Sequence, residues 1–255
     1  MKICTVDIET RPHIGATWGK WEQNVIWWER YGGIISIAWK MRGEKTKVLA
    51  LTDYPNYKVG KEDDKQLLID FCKEVDDADI FIYQNGDRFD LPMIQTRLLY
   101  HRLPPLRHRQ TIDTLKIFRG NFKFPANNLD EVCEYLGLGN KLRTDKNLWK
   151  DCLNPKLPEA VRMKAWKYMK LYNKHDVDLT EEVCELVLPF TKNGVNANVY
   201  NNTLIRCPNV TCTGRASIVK RGFSHTALGK FQQYQCMGCY KYMTGEKVGD
   251  RVLRK

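Results

Sequence analysis

Features that would define whole classes of protein are missing from this sequence. No apolar run approaches the roughly 20 residues that a membrane-spanning helix needs, so we expect no membrane segment. The first residues lack a basic stretch followed by an apolar one, which argues against a secretory signal. We find neither an internal repeat nor a low-complexity tract. The 255 residues, of which 43% are hydrophobic, therefore predict a globular protein long enough for one large domain and an appendage.

Most of the cysteines are also not arranged for cross-linking. Five of the nine stand alone in apolar surroundings: Cys4, Cys72, Cys133, Cys152 and Cys184. An odd, scattered set of this kind is typical of reduced thiols in a protein core. We therefore expect an intracellular, cytoplasmic protein in a reducing compartment.

The formal net charge of +11 is unevenly distributed. Residues 199–255 carry 10 Lys/Arg and 2 Asp/Glu, a net +8, whereas the other 198 residues carry 31 and 28, a net +3. A basic tail on a nearly neutral body indicates a polyanionic partner, most simply nucleic acid. The alternative is a basic surface that serves only solubility.

A pair of carboxylates follows the first apolar stretch of the chain. Lys2 to Val6 is short and β-branched, which predicts a buried strand. Side chains alternate along a strand, so Asp7 and Glu9 share one face while Ile8 packs on the other. Two such carboxylates near a core repel each other unless a divalent cation lies between them, and oxygen ligands favour magnesium or manganese. The alternative is a solvated pair at a strand end.

The next segments predict an α/β fold. Gly33 to Trp39 and Thr46 to Thr52 are strand-like, and three consecutive strands predict an antiparallel meander. A helical pattern from Asp63 to Ala78 precedes a strand from Asp79 to Tyr83, which we predict to be parallel to the first. Lys141 to Pro158 is polar and is predicted to be a loop.

A long connection between the first two strands is rich in tryptophan. Trp18, Trp21, Trp27 and Trp28 lie there among polar residues and glycines. Such residues can form a stacking platform for bases. We favour the other interpretation, in which they anchor a long loop to the core.

Two further polar motifs follow predicted elements. Asn85-x-x-x-Phe89-Asp90 comes after the strand that ends at Tyr83, where Asp90 is also a plausible helix N-cap. Tyr172-x-x-x-Asp176 lies in a helical pattern from Glu159 to Val187, so both side chains face the same way, one turn apart.

The basic tail contains two cysteine pairs, Cys207-x4-Cys212 and Cys236-x2-Cys239. In a short segment with too few apolar residues for a large core, this spacing predicts one structural Zn²⁺ held by four thiolates, with an iron–sulfur cluster as the lesser alternative. Aromatic residues alternate with basic ones here, which favours contact with nucleic acid over a purely structural ribbon. The predicted contacts are Arg215, Lys220, Arg221, Lys230 and Lys241.

In this order, the three acidic motifs resemble those of the DEDD 3′–5′ exonucleases, which have a ribonuclease H-like fold. The tyrosine four residues before Asp176 is similar to the tyrosine branch of that family. The segment from Asn85 to Pro92 resembles the second exonuclease motif of family B DNA polymerase proofreading domains. The resemblance covers about Met1 to Val187.

The resemblance implies a site for two Mg²⁺ or Mn²⁺ ions. Asp7 would bridge both ions, Glu9 and Asp176 would complete the site of the ion that activates water, and Asp90 would hold the second ion largely through waters. Tyr172 would orient the attacking water. The second motif further implies that Asn85 and Phe89 contact the nucleic acid.

The expected architecture is a ribonuclease H-like mixed sheet, meander plus parallel strands, flanked by helices, with a small zinc ribbon. We predict an exonuclease domain over residues 1–195 and a basic Cys4 ribbon over residues 200–255. The resemblance implies a 3′–5′ exonuclease acting on DNA, with DNA replication or repair proteins as partners. The alternatives are an RNA-trimming exoribonuclease and a binding module on an inactive nuclease fold.

Overall fold

The computed structural model describes residues 1–21, 24–139, 142, 144, 147–192, 194–200, 206–212 and 217–249. The strands are β1 (Ile3–Arg11), β2 (Ile14–Ala16), β3 (Trp27–Arg30), β4 (Gly33–Met41), β5 (Lys47–Ala50), β6 (Ile80–Tyr83), β7 (Gln110–Asp113), β8 (Ile218–Thr226), β9 (Gly229–Cys236) and β10 (Tyr242–Val248). The α-helices are α1 (Lys65–Glu74), α2 (Asp90–Tyr100), α3 (Thr114–Asn121), α4 (Leu129–Leu136), α5 (Asn147–Leu153) and α6 (Glu159–Val187). Among the described residues, no helix combines the length and the apolar character needed to span a bilayer.

A five-stranded mixed sheet with the order β5-β4-β1-β6-β7 forms the body of the molecule. β1 pairs antiparallel with β4, and β4 pairs antiparallel with β5, which confirms the predicted meander. β1 pairs parallel with β6, as predicted from the helix between them, and β6 pairs parallel with β7. Helices flank this sheet, so the chain has the predicted ribonuclease H-like α/β architecture.

The two edges of β1 are paired to different extents. β4 pairs with β1 from Cys4 to Arg11, whereas β6 pairs with it only from Ile3 to Thr5. Beyond Thr5, the edge of β1 that faced β6 has no strand partner among the described residues. Side chains from other elements therefore reach β1 at the level of Asp7 and Glu9.

Helix α6 begins at Glu159 and ends at Val187, as predicted, and it packs across β4, β1 and β5. Its N-terminal half is fixed by Trp166, which is buried and donates a hydrogen bond from Nε1 to the Tyr57 hydroxyl at 3.2 Å. The buried face continues through Tyr172 and Asp176. The helix therefore carries these two polar side chains to the centre of the sheet.

The prediction of a loop from Lys141 to Pro158 is wrong for part of that segment, because it contains helix α5. Leu148, Cys152 and Leu153 are buried in the core, and α5 packs against α6. Leu148 and Cys152 are four residues apart and therefore share one helical face, but the polar Lys150 and Asp151 between them weakened this signal in the sequence.

The tryptophan-rich connection contains a short hairpin, in which β2 pairs antiparallel with β3. Trp18 is 89% exposed and Trp21 is 85% exposed, so the prediction that they anchor the segment to the core is wrong for these two residues. Trp28 packs against His13, with ring centroids 5.2 Å apart.

Strands β8, β9 and β10 form a separate antiparallel sheet with the order β10-β9-β8. The residues just before it contact the body directly. Val210 packs in a cluster with Ile3, Ile80 and Leu188, and Arg42 donates a hydrogen bond from Nη2 to the Thr211 carbonyl at 2.7 Å. The division into independent domains at residues 195–200 stays a prediction.

Candidate active site

Three of the four predicted carboxylates converge where α6 crosses β1. Asp7 and Glu9 come from one face of β1, and Asp176 comes from α6. One carboxylate oxygen from each lies within 4.8 Å of the others. Glu9 is 9% exposed and Asp176 is 3% exposed, so these two carboxylates are largely shielded from bulk water, whereas Asp7 is half-buried.

Asp7 is held by a neutral side chain that sequence reasoning missed. Asn173 donates from Nδ2 to the Asp7 carboxylate Oδ2 at 2.6 Å and to the Asp7 carbonyl at 3.2 Å. The Asn173 amide oxygen accepts a hydrogen bond from the Ser36 hydroxyl at 2.8 Å. Ser36 lies on β4 directly opposite Glu9, so the two central strands and α6 together orient the Asp7 carboxylate.

Glu9 is held by a second residue that sequence reasoning missed. Trp149 of α5 donates from its indole Nε1 to the Glu9 carboxylate Oε2 at 3.1 Å. The same indole packs edge-on against the Tyr172 ring, with centroids 5.8 Å apart. Helix α5 therefore positions both Glu9 and Tyr172.

Asp90 lies next to this cluster at the unpaired edge of β1. Its Oδ1 accepts a hydrogen bond from the backbone N–H of Ile8, between Asp7 and Glu9, at 3.0 Å. Burial raises the pKa of Asp90 to about 7, against the effect of this hydrogen bond, because the carboxylate is desolvated. Its role as a ligand of a second ion stays a prediction.

The loop before Asp90 is shaped by a buried carboxylate on β7. Asp113 accepts hydrogen bonds from the N–H of Asn85 at 2.9 Å, of Asp87 at 3.3 Å and of Leu115 at 3.0 Å. Asn85 adopts a left-handed conformation with φ of 62°, which asparagine tolerates better than most residues. Asp113 thus fixes the turn that places Phe89, whose side chain is exposed, and Asp90.

The predicted nucleic-acid contacts of the ribbon do not behave alike. Lys220, Arg221 and Lys230 are exposed on β8 and β9, and the Lys230 ammonium lies 3.7 Å from the centre of the Phe223 ring. Arg215 lies outside the described residues.

The prediction that Lys241 contacts nucleic acid is wrong. Its ammonium is buried and donates to the Leu188 carbonyl at 3.0 Å and to the Thr191 hydroxyl at 2.9 Å. Lys241 therefore satisfies backbone and hydroxyl acceptors just beyond the end of α6, and it joins the ribbon to the body instead of facing a substrate.

The four clustered cysteines converge as predicted, with their sulfur atoms all within 4.8 Å of one another. Cys207 and Cys239 have sulfurs 3.5 Å apart, and Cys212 and Cys236 have sulfurs 3.8 Å apart. A tetrahedral ion with bonds of about 2.3 Å to sulfur requires sulfur–sulfur distances of about 3.8 Å. The set therefore fits a single tetrahedral metal ion and is too widely spaced for disulfides.

The backbone around Cys236 favours its thiolate form, whereas burial raises the pKa of Cys207. The N–H of Gly238 donates to the Cys236 sulfur at 3.4 Å. Burial alone would raise the pKa of Cys236, but hydrogen bonds from the backbone of Cys239 and Gly238 outweigh it and lower this pKa.

The acidic cluster also fits a metal by the chemistry of its donors. It offers only carboxylate oxygens, and the side chains from Asn173 and Trp149 that reach it are neutral hydrogen-bond donors. Three buried or half-buried carboxylates at this separation repel one another, and a hard divalent cation relieves that repulsion. Asp7, Glu9 and Asp176 can therefore hold a magnesium-type ion.

The fold and these two sites define an α/β protein of ribonuclease H-like architecture with one acidic and one four-cysteine cluster. A family B DNA polymerase from the hyperthermophilic archaeon Pyrobaculum calidifontis has a similar fold, with a TM-score of 0.50 and 17% sequence identity. The similarity covers 76% of this chain and 26% of the polymerase, so the chain spans about a quarter of the protein it matches. No protein-family model matches the sequence, and no curated protein matches it.

Proposed function

We propose that this chain is a metal-dependent 3′–5′ exonuclease that hydrolyses phosphodiester bonds of nucleic acid, with DNA favoured over RNA. The observation that carries the proposal is the convergence of Asp7, Glu9 and Asp176 within 4.8 Å, with Tyr172 one helical turn before Asp176. The polymerase neighbour supports the same fold and nothing beyond it.

In this proposal, Asp7, Glu9 and Asp176 hold the catalytic ions, and Asp90 completes the set from the edge of β1. Magnesium ions bound there would stabilise the attacking and leaving oxygens of an in-line displacement. Asn173 and Trp149 keep the Asp7 and Glu9 carboxylates in fixed orientations, as hydrogen-bond donors to metal ligands commonly do. Tyr172 orients the attacking water through its hydroxyl.

Tyr172→Phe is expected to lower turnover by roughly 10- to 1000-fold, the scale of a positioned water or proton-transfer group. The ring and its packing against Trp149 are kept, so the fold should survive. Steady-state hydrolysis of a labelled single strand measures the effect, with Tyr135→Phe on the exposed face of α4 as the matched control. A change in substrate affinity at unchanged turnover would make Tyr172 a substrate contact and contradict this role.

The proposal also assigns one structural Zn²⁺ to Cys207, Cys212, Cys236 and Cys239. Metal analysis of the purified chain should give about one zinc per molecule, and Cys207→Ser combined with Cys239→Ser should abolish binding, since ion affinity supplies folding free energy to such a segment. Cys72→Ser, at a half-buried thiol elsewhere, should keep the ion. Iron with inorganic sulfide in place of zinc would contradict the assignment.

The preference for DNA is tested by two oligonucleotides of the same sequence, one of DNA and one of RNA, each incubated with Mg²⁺, with Mn²⁺ or with neither. We expect shortening of the DNA strand only when a divalent ion is present. Faster shortening of the RNA strand would make the chain an exoribonuclease, and no shortening of either would contradict nuclease activity.

A further inference from the structure

The charges of helix α6 are segregated along its length. Residues 159–174 contain five Lys/Arg and one Asp/Glu, whereas residues 175–187 contain five Asp/Glu and no Lys/Arg. The helix macrodipole acts only within the first and last turns, so it does not account for this arrangement. We therefore looked for partners of these charged side chains outside the helix.

Three acidic residues of the C-terminal half have ion-pair partners within the protein. Asp178 and Glu181 contact the Lys40 ammonium at 2.9 and 2.7 Å, and Glu185 contacts the Arg42 guanidinium at 2.6 Å. The basic half is different. Lys170 pairs with Asp53, but none of the described acidic residues forms an ion pair with the three other lysines, Lys164, Lys167 and Lys174.

These lysines line a groove of about 760 Å³ between α5 and α6, which we call the lysine groove. Lys164, Lys167, Lys170 and Lys174 follow one another at intervals of three or four residues, so each is a like-charged neighbour of the next. Such pairs destabilise a helix. Asp151 on α5 is the acidic residue in the lining, so the groove is strongly positive overall.

Apolar surface lies between the charges. Tyr168 and Leu171 line the groove and are exposed. A positive channel with interspersed aromatic surface is the arrangement that binds a single strand, because lysines contact phosphates and rings stack on bases. An acidic peptide would use the charges but would gain less from the exposed tyrosine ring.

Two residues that line the groove are close in sequence to residues of the candidate active site. Tyr168 lies one helical turn before Tyr172, and Leu148 in its wall precedes Trp149, which contacts both Glu9 and Tyr172. From Lys164 to Lys174 the helix rises roughly 15 Å, which corresponds to about four nucleotides at the spacing of one strand of a duplex.

We infer that the lysine groove binds the single strand of nucleic acid that leads away from the acidic cluster, with Lys164, Lys167 and Lys174 on its phosphates and Tyr168 against a base. This inference rests on the proposed function for its substrate and adds the surface that holds the strand. In this inference, α6 contributes residues to the candidate active site and also contacts the strand along its lysine face.

The test measures binding without hydrolysis. All variants carry Asp7→Asn. Binding is measured by the fluorescence anisotropy of a 5′-labelled oligothymidylate between about 50 and 200 mM salt, without Mg²⁺. No chelator is added, so that any metal ion bound to the cysteines is retained. Replacement of Lys164, Lys167 and Lys174 by Ala should weaken binding by roughly tenfold or more and lower the log–log salt slope by about 2, or 0.7 for each phosphate contact.

A matched triple replacement removes the same charge elsewhere. Lys45, Lys65 and Lys123 are exposed and have no ion pair with the described acidic residues, and changing them to Ala should leave affinity and slope nearly unchanged. Replacement of the three groove lysines by Arg keeps the charge and should retain binding. This Arg variant separates loss of charge from loss of folding.

The inference would be overturned if replacing the three groove lysines by Ala left the salt slope unchanged, or if replacing the three control lysines by Ala changed it equally. It would also be overturned if polyglutamate displaced the labelled oligonucleotide as strongly as unlabelled oligonucleotide does. Failure of the nuclease proposal is distinguishable. The wild-type chain could show no Mg²⁺-dependent hydrolysis while its salt-sensitive binding is still weakened by replacement of the groove lysines with Ala. That result would refute the nuclease proposal and leave the groove as a strand-binding site.

Discussion

Asp7→Asn is expected to lower phosphodiester hydrolysis by at least about 100-fold while leaving affinity for the strand unchanged or higher. A catalytic ion contributes several kcal/mol of charge stabilisation in the transition state, so loss of a carboxylate that holds it should remove at least two factors of ten in rate, each worth about 1.36 kcal/mol. An asparagine oxygen can still accept the hydrogen bond that Asn173 donates to Asp7, so the site keeps its shape. Loss of one carboxylate also reduces repulsion of phosphate.

Asp76→Asn provides the matched control, because Asp76 is an exposed aspartate on a different surface. Single-turnover hydrolysis and equilibrium binding, measured on both variants after identical purification, separate chemistry from affinity. Near wild-type turnover in Asp7→Asn would show that Asp7 is not a ligand of a catalytic ion.

The largest effect on stability is expected at a buried ion pair that is not part of the acidic cluster. Arg97 donates from Nε and Nη2 to the two oxygens of Asp64 at 2.8 and 2.7 Å, and the N–H of Ile34 donates to the same carboxylate at 2.9 Å. Both side chains are buried. Arg97→Met leaves the Asp64 charge without its main partner and should lower the free energy of unfolding by about 3–5 kcal/mol.

Adding Asp64→Asn to Arg97→Met removes the orphaned charge and keeps an acceptor for Ile34, so the double variant should regain at least about 1 kcal/mol over the single one. Lys47→Met breaks an exposed pair with Glu74 and should cost about 0–1 kcal/mol. Urea unfolding followed by circular dichroism gives these free energies. A loss below about 1 kcal/mol in Arg97→Met would contradict a structural role for the pair.

The same pair predicts how stability depends on pH. Burial alone would raise the pKa of Asp64, but hydrogen bonds from Arg97 and His101 outweigh it and hold this pKa below its usual range. A carboxylate with a lowered pKa stabilises the fold above its unfolded pKa, and that contribution is lost as the pH falls through the folded pKa.

The stability difference between wild type and Asp64→Asn should therefore stay constant from pH 7 to about pH 4 and shrink below it. His101 and Asp63 are the other titratable groups near Asp64, so the series is repeated with His101→Gln in both backgrounds. A difference that vanishes already between about pH 6 and 5 in the His101→Gln pair would contradict the prediction.

Regular spacing made much of the fold and the acidic cluster predictable. Alternation along β1 places Asp7 and Glu9 on one face, and the helical period places Tyr172 one turn from Asp176. These are local rules, so one sequence suffices to apply them. The resemblance to known nucleases then implied that these separate motifs come together in one site.

The residues that orient the carboxylates were not predictable in this way. Asn173 meets Ser36 across a separation of 137 residues, and Trp149 meets Glu9 across 140. Lys241 was predicted to contact nucleic acid because it lies among basic residues that alternate with aromatic ones, whereas acceptors 50 and 53 residues earlier in the chain bury it. Each of these contacts depends on packing between elements that are distant in sequence, and the helix and strand periodicities of the sequence carry no information about such packing.

The central claim is tested most directly by labelling one single-stranded DNA oligonucleotide at either end and incubating each form with the wild-type chain and Mg²⁺. The account predicts a ladder of progressively shorter strands from the 5′-labelled form, immediate release of labelled mononucleotide from the 3′-labelled form, and no cleavage of a circular single strand. Internal fragments from both labelled forms together with cleavage of the circle, or intact strands throughout, would contradict a 3′–5′ exonuclease.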